Sequence, residues 1–400
     1  MTDDVLLFEG LKVLDVGSWI AGPVAATMLA DRGAEVLKIE EPVVGDGYRG
    51  YATLGFTPTA DVNYTWAMDA RNKRSLSLNL KTDAGMDILK KLIGDCDVYV
   101  SNQPLALRRL LNLDYEDIKA LNPRMIYASL TPFGEAGPDS DNEAFDLVAY
   151  WNRSGLLNHM RPDGHEPIQA MAGMGDHPTA VALYASIVTA LLQRERTGKG
   201  CMVHTSLLAN GLWSSSCYTQ AQIAGADFST LASQRLTGAV YETADGRWLQ
   251  LSMVRGEEEF DRLLIAIEAF DILGDDKYAT LDAKMVHRDE LTTRLREIFL
   301  QRSSDDWLRL LKEEHALNVE RVVTFEEVQN DPHLPLNNMV SRPVEDVGID
   351  YIINDPVNVE GVKKVGARHA PGHGEHSAEV LIEMGYGEAE IRSLKEQGII

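Results

Sequence analysis

The 400-residue sequence contains little cysteine, no excess of positive charge and no long apolar run. Its three cysteines, Cys96, Cys201 and Cys217, are too few and too unevenly spaced for a disulfide framework or a paired-cysteine metal site. Because 61 acidic residues outnumber 38 basic ones, the net charge of -23 disfavours nucleic acid and anionic membranes as partners. The N-terminal segment is acidic and lacks the basic start of a signal peptide. These absences predict a cytoplasmic globular protein with reduced thiols.

One histidine pair has a spacing that metal sites use. His373 and His376 follow Pro371 and Gly372, so they are predicted to lie in a turn and not on one face of a helix. No third ligand accompanies them, whereas zinc sites in proteins use at least three protein ligands. The sequence therefore predicts a surface turn that leads into a helix, and no metal.

The first half of the chain alternates between strand-like and helix-like segments. Helical patterns occupy residues 24–31 and 83–93. Strands that alternate with helices predict an α/β fold with a parallel, Rossmann-like sheet. The turn at residues 17–22 lacks the G-x-G-x-x-G spacing, so this sheet does not imply a nicotinamide cofactor. The predicted strands are residues 11–16, 35–39, 75–80, 97–101 and 124–130.

Composition and pattern divide the chain into four segments. A β-hairpin is predicted around Asp245 and Gly246, at the start of a region of acidic helices and short mixed elements. The tail at residues 377–398 has the pattern of a helical pair. The predicted segments are a large Rossmann-like domain at 1–205, a linker at 206–225, a smaller α+β domain at 226–330 and a C-terminal return to the large domain at 331–400.

Asp176 lies where the small-residue stretch MAGMG gives way to a long apolar helix, predicted from Pro178 to Arg194. Asp is a preferred N-cap residue and Pro favours the first helical turn, so capping alone explains Asp176. A second interpretation is chemical, because a helix N-terminus favours an ionised carboxylate and carboxylates can attack acyl groups. Gly173 and Gly175 would let a bulky substrate approach the backbone closely. The two interpretations are compatible with each other.

Other polar residues are weaker candidates for chemistry. His177 and His204 could act as bases, but neither has a partner at a recognisable spacing, which favours packing or solvent roles. The basic cluster RNKR at residues 71–74 precedes a predicted strand in a very acidic chain. It is interpreted as a solvated face, with a bound phosphate as the alternative.

A set of short motifs, in order along the chain, resembles the class III CoA-transferases of the CaiB/BaiF type, which include formyl-CoA transferase and carnitine CoA-transferase. The resemblance runs from Leu11 to Ile400. Each motif alone has low specificity, whereas the whole series in this order is specific. The motifs are VLD at 13–15, AGP at 21–23, LADRGAEVLKIE at 29–40, GD at 45–46, NKRS at 72–75, LNPR at 121–124, FGEAGP at 133–138, TGKG at 197–200 and PGHGEH at 371–376.

The resemblance implies a Rossmann-like large domain, a small α+β domain and a homodimer of two chains interlocked as rings. It implies that Asp176 is the catalytic aspartate and that CoA and acyl-CoA are substrates, with no tightly bound cofactor. The family motif NFRPG is NQPLA at residues 102–106, and Glu41 stands where some members carry a basic residue, so contacts to CoA differ locally. The residues implied to bind CoA are Trp19, Ile20, Ala21, Leu78, Lys81, Asn102 and Arg109.

The resemblance also implies a reaction that moves CoA from an acyl-CoA donor to a free carboxylic acid. Asp176 would form an acyl anhydride and then an aspartyl-CoA thioester, without metal or ATP. Backbone N–H groups of the glycine turn and the helix start are expected to stabilise the oxyanions. Phe145 and Tyr150 are expected to contact the substrate in an apolar pocket, although they could equally belong to the core. The identity of the two acids stays open.

Two alternatives to transfer remain. α-Methylacyl-CoA racemases share the fold, but they need an acid/base group on each side of the α-carbon, one of them supplied by a His-Asp dipeptide. This chain has Phe145 and Asp146 there, and phenylalanine cannot accept a proton, which favours transfer. The other alternative is a non-catalytic acyl-CoA-binding protein. Asp176 and its glycine neighbours disfavour this alternative.

Overall fold

The computed structural model describes residues 5–55, 57–161, 164–228, 240–252 and 256–400. The chain forms two compact units, one made of Met1–Cys217 with His333–Ile400 and the other of Tyr218–Pro332. Within the predicted small domain, residues 229–239 and 253–255 lie outside the described part. Among the helices that are described, none is both long enough and apolar enough to cross a membrane.

A parallel sheet of six short strands forms the centre of the first unit. The spatial order of the strands is β3-β2-β1-β4-β5-β6, and every neighbouring pair is parallel. This confirms the predicted α/β class. The strands are β1 (Lys12–Asp15), β2 (Glu35–Glu40), β3 (Lys73–Ser77), β4 (Val98–Ser101), β5 (Ile126–Thr131) and β6 (Met202–Ser206).

Strand β3 begins earlier than the sequence predicted. The prediction was residues 75–80, whereas the strand is Lys73–Ser77. Lys73 is buried in the sheet because its ammonium Nζ lies 2.8 Å from Asp15 Oδ2 at the end of β1. A buried lysine that is paired with a carboxylate on another strand does not appear in the sequence as an apolar residue. The apolar pattern therefore predicted a start of β3 that is too late.

Helices cover both faces of the sheet. The helices of the first unit are α1 (Ala21–Ala30), α2 (Tyr64–Asp69), α3 (Asp83–Asp95), α4 (Leu105–Leu111), α5 (Tyr115–Ile118), α6 (Leu156–Met160), α7 (Asp176–Thr197) and α8 (Leu207–Ser214), with α16 (His333–Leu336), α17 (Ser377–Glu383) and α18 (Glu388–Glu396) from the C-terminal part. On one face α1 packs against α7, and all ten residues of α1 are buried. On the other face α3 shares a core with α17 and α18.

Helix α7 starts two residues before its predicted beginning and ends three residues after its predicted end. Its C-terminus is closed by Gly198, whose φ of 73° is the left-handed conformation that glycine adopts without strain. Arg194 and Arg196 lie in its last turn, where cations interact favourably with the helix dipole.

The second unit has its own small core beneath an antiparallel sheet. The hairpin predicted around Asp245 and Gly246 is confirmed, since its two strands pair on either side of that turn. The strands are β7 (Val240–Glu242), β8 (Trp248–Leu251) and β9 (Val319–Arg321). The helices are α10 (Glu257–Ala266), α11 (Phe270–Leu273), α12 (Leu281–Val286), α13 (Arg288–Phe299), α14 (Ser304–Leu308) and α15 (Phe325–Val328), and the chain passes from one unit into the other within α9 (Ser216–Ile223). In the first unit, β10 (Val340–Ser341) and β11 (Ile352–Ile353) form a further antiparallel pair.

Candidate active site

The candidate site begins at the carboxyl edge of the sheet, where the strand order changes direction between β1 and β4. Loops that follow these two strands face each other there, which is where open α/β sheets bind ligands. Asn102, just after β4, bridges them: its Oδ1 accepts from the Ser18 N–H at 2.8 Å and its Nδ2 donates to Ser18 O at 2.7 Å. Gly17 makes room for this contact, since a Cβ there would lie 2.9 Å from Asn102 Oδ1.

Trp19 is held in a strained conformation at the tip of the loop after β1. Its φ of 65° is in the left-handed region, which is rare for a residue with a large side chain. The Trp19 N–H donates to Asp46 Oδ1 at 2.9 Å. The indole packs over Gly47 on one side and makes an edge-to-face contact with Phe145, with ring centroids 5.0 Å apart. These contacts present an aromatic pair at the edge of the sheet.

A buried network of ions fixes the carboxylate that holds Trp19. Lys38 Nζ lies 2.7 Å from Asp46 Oδ2 and donates to Gly17 O at 3.0 Å. Lys73 and Lys38 share Asp15, at 2.8 and 3.8 Å. Burial lowers the pKa of Lys38, but the charges of Asp15 and Asp46 outweigh it and the pKa is raised. The loop therefore rests on buried charges that are paired with one another.

Asp176 is the first residue of α7, and Gly175 occupies the N-cap position. Its carboxylate is half-buried and makes no hydrogen bond or ion pair with any described residue. The capping interpretation is therefore wrong, because a capping side chain accepts a hydrogen bond from the first turn. An uncommitted carboxylate at the start of a helix is what a nucleophile requires.

The glycine turn before Asp176 is held by a buried carboxylate. Asp146 Oδ2 accepts from the N–H groups of Gly173 and Gly175, each at 2.9 Å. Burial raises the pKa of Asp146, although these amides favour its ionised form. Tyr150 packs against Gly175, where a Cβ would lie 2.6 Å from its Cγ. The expectation that the glycine amides stabilise oxyanions is wrong for these two groups, since Asp146 already accepts from them.

His177 connects the glycine turn to a second buried carboxylate. Its Nδ1 lies 3.0 Å from Gly173 O and its Nε2 lies 3.2 Å from Asp69 Oδ1. Asp69 is buried at the end of α2, and its Oδ2 accepts from the Tyr48 hydroxyl at 2.6 Å. This partner was not foreseen from the sequence, because Asp69 precedes His177 by 108 positions.

The electrostatics of the site set Asp176 apart from most carboxylates. Burial, followed by the negative charge of Asp146, raises the pKa of Asp176 to about 7, against the opposing charge of His177. Burial lowers the pKa of His177, but its hydrogen bond to Asp69 and the charge of that carboxylate raise it to about 9. The site therefore combines an imidazole that is protonated at neutral pH with a carboxyl group that titrates there.

Comparison with known proteins identifies the family of this chain. The sequence profile described as CoA-transferase family III matches residues 8–377. The chain belongs to CoA-transferase family III. It is thus an enzyme of the CoA-transferase type, and the predicted CoA-transferase activity is confirmed at that level.

Individual relatives of this CoA-transferase cover nearly the whole chain. It is 32% identical to (R)-2-hydroxy-4-methylpentanoate CoA-transferase of Clostridioides difficile, over 99% of this chain and 100% of that protein. It is 27% identical to cinnamoyl-CoA:phenyllactate CoA-transferase of Clostridium sporogenes, over 99% and 98%. The crystal structure of a CaiB/BaiF family protein from Brucella suis superposes with a TM-score of 0.80 at 25% identity, covering 94% of this chain and 98% of that chain.

The residues implied to bind CoA fall into two groups in this CoA-transferase. Trp19, Ile20 and Asn102 lie together at the carboxyl edge of the sheet, and Ile20 packs against Gly173 beside Asp176. Ala21 follows as the first residue of α1. The Asn102 side chain is committed to Ser18 through both polar atoms, which indicates that it shapes the loop.

The second group is not gathered at Asp176 by any described contact. Leu78 is 1% exposed and belongs to the core beside α3, so its side chain lies inside the protein. Lys81 is exposed, and its N–H donates to Asn79 Oδ1. Arg109 is exposed and pairs with Asp141 at 2.8 Å. Their roles in CoA binding stay predictions.

Of the residues expected to contact substrate, Phe145 is 58% exposed and makes the edge-to-face contact with Trp19, whereas Tyr150 is buried. The Tyr150 hydroxyl lies 2.6 Å from Ser214 Oγ, so its polar end is already hydrogen-bonded. Phe145 is thus the better placed of the two to contact an acyl group, whereas Tyr150 supports the glycine turn by packing against Gly175.

Two sequence motifs prove to be structural. In the basic cluster at residues 71–74, Arg71 pairs with Asp31 at 2.7 Å, Lys73 pairs with Asp15, and Arg74 pairs with Glu383 at 2.9 Å. The basic side chains that would have bound a phosphate are therefore already paired with carboxylates of the protein.

The histidine pair near the C-terminus also makes internal contacts. His376 Nδ1 accepts from Ser75 N at 3.2 Å, and His373 Nε2 lies 2.8 Å from Glu41 O. These contacts tie the turn before α17 to the ends of β2 and β3. Over the described ranges, no three His, Cys, Asp or Glu side chains are grouped to hold a metal ion.

Proposed function

We propose that this CoA-transferase moves CoA from an acyl-CoA donor to a free carboxylic acid, with Asp176 as the nucleophile that carries the acyl group and then the CoA. The observation that carries the proposal is the uncommitted, half-buried Asp176 carboxylate at the start of α7, beside a turn of small residues. The other two carboxylates near it, Asp146 and Asp69, are each held by hydrogen bonds from the protein.

The first half of the reaction transfers CoA to the protein. A carboxylate oxygen of Asp176 attacks the thioester carbonyl carbon of the donor, and the C–S bond breaks to release the CoA thiolate. The product is a mixed anhydride between Asp176 and the donor acyl group. The thiolate then attacks the Asp176 carbonyl carbon, the anhydride C–O bond breaks, and the donor leaves as a carboxylate.

The second half repeats these steps in reverse with the acceptor. The acceptor carboxylate attacks the aspartyl-CoA thioester carbonyl and releases the CoA thiolate, which gives a second anhydride. The thiolate attacks the acceptor acyl carbon, and Asp176 leaves as a carboxylate. Each step exchanges one carboxylate for one thiolate, so no net proton, metal ion or ATP is needed.

The surrounding residues support this chemistry in specific ways. Asp146 holds the glycine turn through two amides, which fixes the position from which Asp176 attacks. Partial burial weakens the solvation of the Asp176 carboxylate and makes it more reactive towards a carbonyl carbon. Trp19 and the exposed ring of Phe145 provide an apolar surface for the pantetheine and acyl parts of the substrate, and buried Ile20 packs against the turn at Gly173.

We also propose that the acids are monocarboxylic acids with an apolar side chain. The exposed ring of Phe145, packed edge-on against Trp19, is suited to an alkyl or aryl group. Two relatives are named for (R)-2-hydroxy-4-methylpentanoate and for cinnamoyl-CoA with phenyllactate, acids of this kind. A panel of donor acyl-CoAs and acceptor acids that differ only in side-chain polarity tests this preference.

The working enzyme is proposed to be an interlocked homodimer in the cytoplasm. Support for association comes from α8 and α9, which expose Trp213 and Ile223 at 79% and 74%. Light scattering coupled to size-exclusion chromatography tests the assembly, because a dimer near twice the chain mass of 44.2 kDa is expected.

The decisive experiment traps the acyl-enzyme. The protein is incubated with 4-methylpentanoyl-CoA and hydroxylamine, and the modified residue is located by mass spectrometry. We expect modification at Asp176, only when acyl-CoA is present, and a loss of transfer of at least about 10⁴-fold in Asp176→Ala. Asp289→Ala is the matched control, since Asp289 also lies in the first turn of a helix but is 92% exposed.

The alternatives have distinct outcomes in the same assay. A racemase would exchange the α-proton of a 2-methylacyl-CoA with deuterium from the solvent and would not form the hydroxylamine adduct. A binding protein would retain CoA but transfer it to no acid. Either result, or trapping at a residue other than Asp176, would remove the proposed mechanism.

A further inference from the structure

The two ring nitrogens of His177 both face hydrogen-bond acceptors. Nδ1 lies 3.0 Å from the carbonyl oxygen of Gly173, and Nε2 lies 3.2 Å from Asp69 Oδ1. A carbonyl oxygen can only accept, and an ionised carboxylate can only accept. A neutral imidazole has one N–H and would leave one of these contacts without a proton. The geometry is therefore matched by the imidazolium, in which both nitrogens donate.

Asp69 is built to remain the acceptor for this ring. Its second oxygen, Oδ2, accepts from the hydroxyl of Tyr48 at 2.6 Å, and the Tyr48 N–H in turn donates to Asp46 Oδ1 at 2.9 Å. Asp46 Oδ1 also accepts from Trp19 N–H. The carboxylate of Asp69 is 4% exposed, so it is fixed in direction and shielded from water.

We propose that His177, held as an imidazolium by Asp69 and the Gly173 carbonyl, is a positioning residue for the reaction: its positive charge favours the ionised form of the adjacent Asp176 carboxylate, and its ring fixes the turn that presents Asp176. This inference rests on the proposed role of Asp176 as the nucleophile. It adds a function for a pair of residues, His177 and Asp69, to which the transfer chemistry assigns none.

The charge balance around Asp176 shows why one cation matters. The groups that face the pair are the carboxylates of Asp69 and Asp146 and the phenol of Tyr51. Asp69 and Asp146 both oppose the ionisation of Asp176, whereas His177 is the cation that favours it. The pKa of about 7 for Asp176 already includes the attraction of His177. Without the imidazolium this pKa would rise further, so Asp176 would be mostly protonated at neutral pH and unable to attack a thioester.

The first test measures the protonation of His177 directly and needs no substrate. The protein, labelled with ¹⁵N at its ten histidines, is examined by ring-nitrogen NMR at pH 7.5, and His177 is assigned by comparison with His177→Gln. Two protonated nitrogens on His177 are expected, with titration near pH 9. A neutral ring at pH 7.5 would overturn the proposal.

The second test measures the ionisation of Asp176. A water-soluble carbodiimide with glycine ethyl ester modifies protonated carboxyl groups, and the extent of labelling of the peptide that contains Asp176 is followed against pH. In His177→Gln, which removes the cation, the midpoint of this labelling is expected to move up by about one pH unit. An unchanged midpoint in this variant would reduce the contacts of His177 to a structural role.

A matched control and an independent check complete the design. His204→Gln carries the same substitution at an exposed histidine of β6 and is expected to leave the midpoint unchanged. Asp69→Asn retains the size of the side chain and removes the carboxylate beside His177 Nε2, so the pKa of the His177 ring is expected to fall in the ring-nitrogen NMR, even if His177→Gln does not fold. An unchanged titration of the ring in Asp69→Asn would overturn the proposal. Hydroxylamine trapping at Asp176 in the unmodified protein separates the two ideas, since trapping without a midpoint shift would leave the nucleophile and remove only the role of His177.

Discussion

Two clusters of charge lie near one another along the carboxyl edge of the sheet, and they are built in opposite ways. In the first, formed by side chains of β1, β2 and β3 with Asp46, each carboxylate faces a cation: Asp15 faces Lys73 and Asp46 faces Lys38. In the second, around Asp176, three carboxylates share a single histidine. The first cluster shapes a loop, and the second leaves one carboxylate available for chemistry.

The pKa values follow this difference. Burial alone would raise the pKa of Glu40 in the first cluster, but hydrogen bonds from Arg49 and the charge of Lys38 lower it to about 2. In the second cluster burial is not compensated, and the pKa of Asp176 rises to about 7. Burial is common to both residues. The number of cations within reach therefore decides whether a buried carboxylate is a permanent ion or a titrating group.

The largest effect is expected when the matched cluster is broken. Asp15→Ala would leave Lys73 and Lys38, both fully buried, without their shared carboxylate. Removing one partner from a buried ion pair costs about 3–5 kcal/mol, because the remaining charge is uncompensated. Urea denaturation at pH 7.5 measures this loss. Asp95→Ala, at an aspartate that is 76% exposed, is the control, and equal losses in the two variants would contradict the contrast.

A smaller effect of opposite sign is expected at Asp176. Its folded-state pKa of about 7 lies above the ordinary value of 3.8, so ionisation disfavours the folded state as the pH rises from about 4 to 7. Asp176→Asn removes that penalty. The variant should therefore gain stability relative to the unmodified protein between pH 5 and pH 8, by about 2 kcal/mol. Unfolding at both pH values checks this, and a difference independent of pH would contradict the raised pKa.

The smallest change in stability is expected at an exposed pair that belongs to neither cluster. Arg109 and Asp141 are paired at 2.8 Å with more than half of each side chain exposed. Arg109→Gln should change the free energy of unfolding by less than about 1 kcal/mol. If Arg109 also binds CoA, the Kd for CoA rises by about 10-fold in calorimetric titration. Arg309→Gln, at another exposed and ion-paired arginine, is the control, and an unchanged Kd would remove Arg109 from the CoA site.

Five strands of the parallel sheet were predictable because they are short, mostly buried runs separated by helical patterns, whereas β6, which is only partly buried, was not predicted. The error at β3 is instructive: Lys73 is as buried as an apolar residue, but only because Asp15 lies opposite it on a strand 58 positions away. Local composition cannot reveal such a pair. Helix α7 was predictable in position, since its apolar face and its closing glycine are both local signals.

The candidate site was predictable in part. Asp176 and the glycines before it form a contiguous motif, and Trp19, Ile20 and Asn102 were inferred from family resemblance. The interactions that give Asp176 its properties were not predictable. Asp146 lies 27 and 29 positions from the glycine amides that it holds. Asp146 holds the glycine turn only because folding brings these remote residues together. The capping interpretation of Asp176 failed because it, too, used only neighbouring residues of the sequence.

The sequence by itself determined the fold class and the family, and it singled out Asp176 as the candidate nucleophile, because these inferences depend on residues that are close together or in a recognisable order. The tertiary structure alone decided which carboxylates are occupied and which is free. Ionisation and hydrogen bonding depend on distances between side chains that are remote in the chain, such as His177 and Asp69. These distances between remote side chains therefore decide whether an aspartate is structural or reactive.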